Sequence, residues 1–187
     1  MNLLVDKLPT DFEGLKIETN FRSFVLFELL MQDNSISKED KVLLAINLFY
    51  KEPKNDIKKM IDGILWFYKC GKEEKEVKNK KATGSNKKRD IYSFEYDAGL
   101  IYSAFKDQYG VDLNEIDYLH WFKFKALFEG LKSDNKICEI MGYRAVDLSK
   151  IKDKDEKAKY RRLQRQFALP DNRTEAEKEQ DFADALW

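Results

Sequence analysis

Apolar residues recur at three- and four-residue spacing through most of the chain, the period of helices that bury one side. Phe21, Phe24, Val25 and Leu29 form the first row, behind Thr19 or Asn20 as a cap, and the row stops near Asp33 and Asn34. Ser37-Lys38-Glu39-Asp40 offers a capping-box-like start to a second row, Val42, Leu43, Ile46 and Phe49, which Pro53 breaks. A third row, Ile57, Met60, Ile61, Ile64, Leu65 and Tyr68, predicts a helix over about 53–69 that Gly71 ends. Ahead of all three, the short apolar stretches Leu3 to Val5 and Leu15 to Ile17 flank Pro9 and Gly14 and suit a small β hairpin.

The pattern lapses over 71–90, where Val77 is the only large apolar residue. Such a stretch buries too little surface to offset its ordering entropy and reads as a charged linker. Order resumes at Tyr92: Tyr92 to Asp97 alternates in the manner of a short extended segment, and Asp97 can cap a helix that Gly110 closes. Helices are then predicted over Glu115 to Leu131, from Ser133 to Gly142, and over about 152–168, where Ile151, Tyr160, Leu163 and Phe167 supply the apolar positions. In the tail, Thr174 and Glu177 have capping-box spacing ahead of Phe182, Leu186 and Trp187, consistent with a short docking helix. The expectation is a mainly α protein of about seven helices in two helical units, with a small β hairpin at the N-terminus. Residues 1–70 form a three-helix unit, 71–90 a linker, 91–170 a second helical unit and 171–187 a tail. No fixed-period repeat or sustained heptad pattern argues for a solenoid or coiled coil.

The segment Glu115 to Leu131 carries Tyr118, Trp121, Phe122, Phe124 and Phe128 together with the lone histidine. On a wheel of 100° per residue, Ile116, His120, Trp121, Phe124, Leu127, Phe128 and Leu131 share one broad face and are the candidate core. Glu115, Lys123, Lys125 and Glu129 occupy the opposite side, and Tyr118, Leu119 and Phe122 lie among those charges. A helix apolar around most of its circumference is covered twice, by its own fold and by a further helix or a partner. Trp66 and Phe67 likewise fall off the main stripe of the third helix. Together with Phe182, Leu186 and Trp187 of the tail, these side chains are the candidate protein-binding residues.

Chemistry-bearing patterns are few. His120 is the lone histidine, and Asp117, three residues earlier on the predicted helix, can hydrogen-bond to it across one turn. Such a pair can orient a general base, but no nucleophile elbow accompanies it, so a core histidine satisfied by Asp117 is the preferred reading. One histidine with Cys70 and Cys138, far apart and outside any CxxC, does not make a usual zinc site, and no phosphate- or nucleotide-binding motif occurs; no cofactor is expected. Cys70 stands beside Lys69 and Lys72, but at a helix carboxyl end, which works against a reactive thiolate.

Lysine plus arginine and aspartate plus glutamate both number 34, so no net charge draws the chain to nucleic acid or an anionic membrane. Two local basic patches exist. Lys78 to Arg89 holds six cations and no acid, interleaved with small polar residues rather than stacking aromatics, and Lys157 to Gln166 is basic where a helix dipole favours cations. Nucleic-acid binding is therefore the secondary reading. The longest apolar runs fall well short of the ~20 residues of a membrane span. The lack of a secretory leader and the sparse cysteines lead to the expectation of a reducing, cytoplasmic setting.

The stretch YSFEYDAGLIYSAFKDQYGVDLNEIDYLHWFKFKALFEGL, followed by IMGYRAVDLSKIKD and LQRQFALPD, resembles the bacteriophage Gp15 protein family of siphophages and Gram-positive prophages; NFRSFVLFELL and INLFYKEP resemble its amino-terminal half. The resemblance spans about residues 1–171. It implies a non-enzymatic tail assembly chaperone that binds the tape-measure protein while tail-tube subunits polymerise around it, works in several copies in the host cytoplasm, and is absent from the mature virion. It brings no catalytic residues. The alternatives are a small nucleic-acid-binding phage protein that uses the basic linker, and a structural tail component retained in the virion.

Overall fold

The computed structural model describes residues 2–53, 56–72 and 90–170. Among these it has a two-stranded antiparallel hairpin, β1 (Asp11–Phe12) and β2 (Leu15–Lys16), and seven helices: α1 (Phe21–Gln32), α2 (Lys38–Phe49), α3 (Ile57–Tyr68), α4 (Ala98–Tyr109), α5 (Trp121–Glu129), α6 (Lys136–Ala145) and α7 (Lys154–Gln166). The mainly α expectation and the N-terminal hairpin both hold. The hairpin uses different partners, however: Glu13 and Gly14, at φ 48° and 81°, make a tight two-residue turn between β1 and β2, while Leu3 to Val5 stays exposed.

Local signals set most helix ends. The Asn20 side chain accepts from Arg22 N, Ser37 from Asp40 N, Asp56 from Lys59 N and Asp153 from Glu156 N, each satisfying an amide that the first turn leaves unpaired. Gly110 closes α4 at φ 66°, the left-handed conformation that only glycine adopts without strain. The sixth helix starts later than predicted, after Asn135, and runs through Gly142 to Ala145. Tyr92 to Asp97 is not extended. It is a turn in which Ser93 Oγ accepts from Glu95 N and Tyr96 N, leading into α4.

The chain divides into two compact units, and the division is not sequential. The first contains residues 1–83 together with Ile116–Glu129; the second contains 84–115 and 130–187. The boundary expected at 70–91 therefore misplaces one segment. Residues 116–129, predicted in the carboxyl-terminal unit, pack against α1 and α3 in the first. The reason is aromatic. Trp121 stacks on Phe24 with centroids 4.9 Å apart, Phe124 stacks on Phe21 at 4.9 Å, and Phe122 lies 5.5 Å from Phe67. Burying these three rings gains more free energy than any contact 116–129 would make as a solvated loop. Most of the linker 71–90 and the whole tail 171–187 lie outside the described residues.

In the second unit α4, α6 and α7 pack around Ile101, Ala104, Phe105, Ile137 and Ile140. Arg144 ties this unit together through Asp97 and the carbonyls of Ile91 and Phe167.

Candidate protein-binding surface

α5 begins where the chain pairs with the start of α1. Asn20 and His120 form an isolated antiparallel bridge, with Phe21 N donating to Leu119 O at 2.9 Å and Trp121 N to Thr19 O at 2.8 Å. Arg22 Nη2 donates to Ile116 O at 2.7 Å and Asn20 Nδ2 to Asp117 O at 3.2 Å. Residues 116–120 are thus held by α1's amino end and are not helical, which corrects the single helix predicted from Glu115.

His120 sits at the position before the first residue of α5. Its Nδ1 accepts from Phe122 N at 3.1 Å, as an asparagine cap would, so Nε2 carries the proton and donates to Pro9 O at 2.9 Å. Asp117 does not pair with it; that expected contact required a helical turn that does not form. Burial pushes the imidazole below its ordinary value, opposed by the Pro9 hydrogen bond and aided by Lys123. The histidine is a structural cap in the core.

The predicted binding residues separate sharply. Phe67, Phe122 and Leu119 are buried, so they cannot be surface contacts. Trp66 is half-buried, packed against Phe67, Phe122 and Phe12. Tyr118 is exposed, with its hydroxyl 2.7 Å from Thr19 Oγ1. Phe182, Leu186 and Trp187 lie outside the described residues. Of the predicted core residues, His120, Trp121, Phe124 and Phe128 are buried, whereas Ile116, Leu127 and Leu131 are half-buried. The aromatic surplus that suggested a partner surface is mostly aromatic core.

What α3 exposes instead is aliphatic. Its buried row is Met60, Gly63, Ile64 and Phe67, at spacings of three, one and three. A β-carbon at Gly63 would lie 2.5 Å from the Tyr50 hydroxyl and 3.2 Å from Phe12 Cβ, so the absence of a side chain lets Tyr50 and the hairpin approach on that side. With Gly63 inward, the apolar stripe read from sequence is only partly covered. Ile57 remains 50% and Leu65 41% exposed, with half-buried Ile61 between them. The three recur every four residues, a row about 12 Å long, and exposed Lys58, Asp62 and Lys69 border it on the wheel. Leu26 of α1 and Leu43 and Leu44 of α2 are also exposed.

Other features offer little chemistry. The second unit has an open cleft of about 440 Å³ lined by Tyr96, Leu100, Lys136, Ile140 and Phe167 among others, and its Arg144 guanidinium is engaged by Asp97. Cys70 is half-buried, and desolvation pushes its thiol up to about 11 despite nearby Lys125 and Lys72. Among the described residues no group of three or more His, Cys, Asp or Glu side chains could hold a metal ion, and no helix is long and apolar enough to cross a membrane.

A family model described as Bacteriophage Gp15 protein matches residues 4–169. The chain belongs to the bacteriophage Gp15 protein family. Membership places it with phage proteins of structural and assembly type. No curated protein and no solved structure matches significantly. The Gp15 match runs through both compact units, including the 116–129 segment of the first.

Proposed function

We propose that this Gp15 protein is a non-enzymatic tail assembly chaperone that binds the tape-measure protein in the host cytoplasm until tail-tube subunits enclose it. The observation that carries this reading is the row Ile57, Ile61 and Leu65 on α3, exposed at both ends and half-buried at Ile61. A tape-measure protein is a long, helix-rich chain whose apolar faces aggregate unless covered. An amphipathic helix recognises such a row through anchors at four-residue spacing, with the charged border setting orientation and keeping the free surface soluble. So short a row binds weakly, which suits displacement by tube subunits and action in several copies along one tape measure.

The test is co-expression with the tape-measure protein of the same phage, followed by affinity capture and light scattering. Co-elution of a large soluble complex from the wild type, lost in Ile57→Asp/Leu65→Asp, supports the reading. A tape measure that stays insoluble with wild type present overturns it. If the protein is found in purified particles, it is instead a structural tail component.

A further inference from the structure

α7 presents six cations against two carboxylates, and its inward side is made by Tyr160, Leu163, Gln164 and Phe167, all half-buried. Gln164 Nε2 donates to Tyr143 O and Val146 O, and Phe167 stacks on Tyr143, which fixes that side against α6. The other side is cationic. Lys154, Arg161, Arg162 and Arg165 are exposed and fall within about 100° of arc, with no carboxylate inside it. None of the four has an ion-pair partner among the described residues. The helix dipole favours cations only in the last turn and does not account for Lys154 at the start.

The seventeen residues that follow Pro170 have the opposite character: Asp171, Glu175, Glu177, Glu179, Asp181 and Asp184 against Arg173 and Lys178. α7 is about 20 Å long, while seventeen residues span about 26 Å as a helix or about 56 Å extended. The segment follows Pro170, four residues beyond the end of α7, a point from which its length reaches the whole helix.

We propose that the acidic segment 171–187 folds back onto the cationic outer face of α7 in the same chain, covering a surface that would otherwise attract polyanions. Length, point of departure and charge complementarity all favour this occupant. It is also present at the high effective concentration of a tethered ligand, which a separate partner lacks.

Carbodiimide coupling of the full-length protein tests it, because the reagent joins a carboxylate to a lysine only at contact distance. Mass spectrometry of a mixture of isotope-labelled and unlabelled chains then separates couplings within one chain from those between chains. The expected result is intrachain coupling of Lys154 or Lys159 to the carboxylates of 175–184, falling about five-fold or more in 0.5 M salt, where screening acts within a few ångströms. Coupling falls similarly in Arg161→Ser/Arg162→Ser/Arg165→Ser. Glu175→Gln/Glu177→Gln/Glu179→Gln, which alters nothing in the described fold, lowers coupling at Asp181 and Asp184. Coupling only between chains would assign the face to a second copy and overturn the proposal. Absence of coupling, with oligonucleotide binding that the triple arginine variant loses, would assign it to nucleic acid.

Discussion

Asp97 and Arg144 meet in a two-pronged ion pair across 47 residues of sequence, Nη1 to Oδ2 at 2.6 Å and Nη2 to Oδ1 at 3.1 Å, with side chains only 4% and 10% exposed. Arg144 also donates from Nε to Phe167 O at 2.6 Å and from Nη1 to Ile91 O at 3.1 Å, and Asp97 accepts from Ser93 N. The pair joins the approach to α4, the end of α6 and the end of α7. It also explains why Asp97, although it occupies the cap position of α4, makes no side-chain cap bond. Removing one partner leaves the other charge buried, so Arg144→Met or Asp97→Ala is expected to cost about 3–5 kcal/mol. Denaturant melts of each variant check this, and a loss below about 1 kcal/mol would show that the pair is not anchoring the unit.

His120 gives stability a defined pH dependence. Its folded-state pKa is depressed, chiefly by burial, while the unfolded chain titrates near the ordinary value of about 6.5. Above about 6.5 both states are neutral at this ring and it contributes no slope. As pH falls below about 6.5 the unfolded chain takes up the proton first, so stability declines until the folded value is passed. Asparagine can replace the cap without titrating. The wild type is therefore expected to lose more stability than His120→Asn between pH 7.5 and 5.5 in urea titrations; equal losses would remove His120 as the cause.

Asn20, Ser37, Gly71 and Gly110 were legible in the sequence because a cap or a left-handed closure is decided within a few residues. The span 116–120 was not. Its backbone carbonyls bond with Asn20, Phe21 and Arg22, nearly a hundred residues away, and override a helical period that the isolated segment does show. The same distance explains the misplaced unit boundary, since Trp121 and Phe124 find their stacking partners in α1. On the candidate surface, the stripe of α3 was read correctly as apolar, but which part of it is covered depends on Gly63. A glycine carries no hydrophobic signal, so nothing in the period reveals that the helix buries that side and leaves Ile57 and Leu65 outward.

Gly63 should accordingly resist even the smallest substitution. The Tyr50 hydroxyl that a β-carbon would meet donates to Met60 O at 2.9 Å, so moving it also strands a buried polar group. Gly63→Ala is expected to destabilise by about 1–3 kcal/mol, in spite of alanine's better helix propensity. Gly63→Ala/Tyr50→Phe should recover part of that loss, because the closest contact disappears with the hydroxyl. A thermal melt in which Gly63→Ala is neutral or stabilising would refute the close approach.

Core and surface in the first unit are distinguished by their response to the same substitution. Phe122 is 2% exposed within a cluster that includes His120, Trp66 and Phe67, whereas Ile57 and Leu65 face solvent on α3. Phe122→Asp places a charge among buried aromatic rings, and is expected to cost more than about 4 kcal/mol and leave the first unit largely unfolded. Ile57→Asp/Leu65→Asp should shift the urea midpoint by no more than exposed substitutions usually do, about 0.5 kcal/mol. Tape-measure capture then becomes diagnostic. Loss of capture in the folded Ile57→Asp/Leu65→Asp protein reports on the surface itself, while loss in Phe122→Asp reports only on unfolding. Retention of capture in the double variant, with the same midpoint and circular dichroism as wild type, would show that the tape measure is held elsewhere.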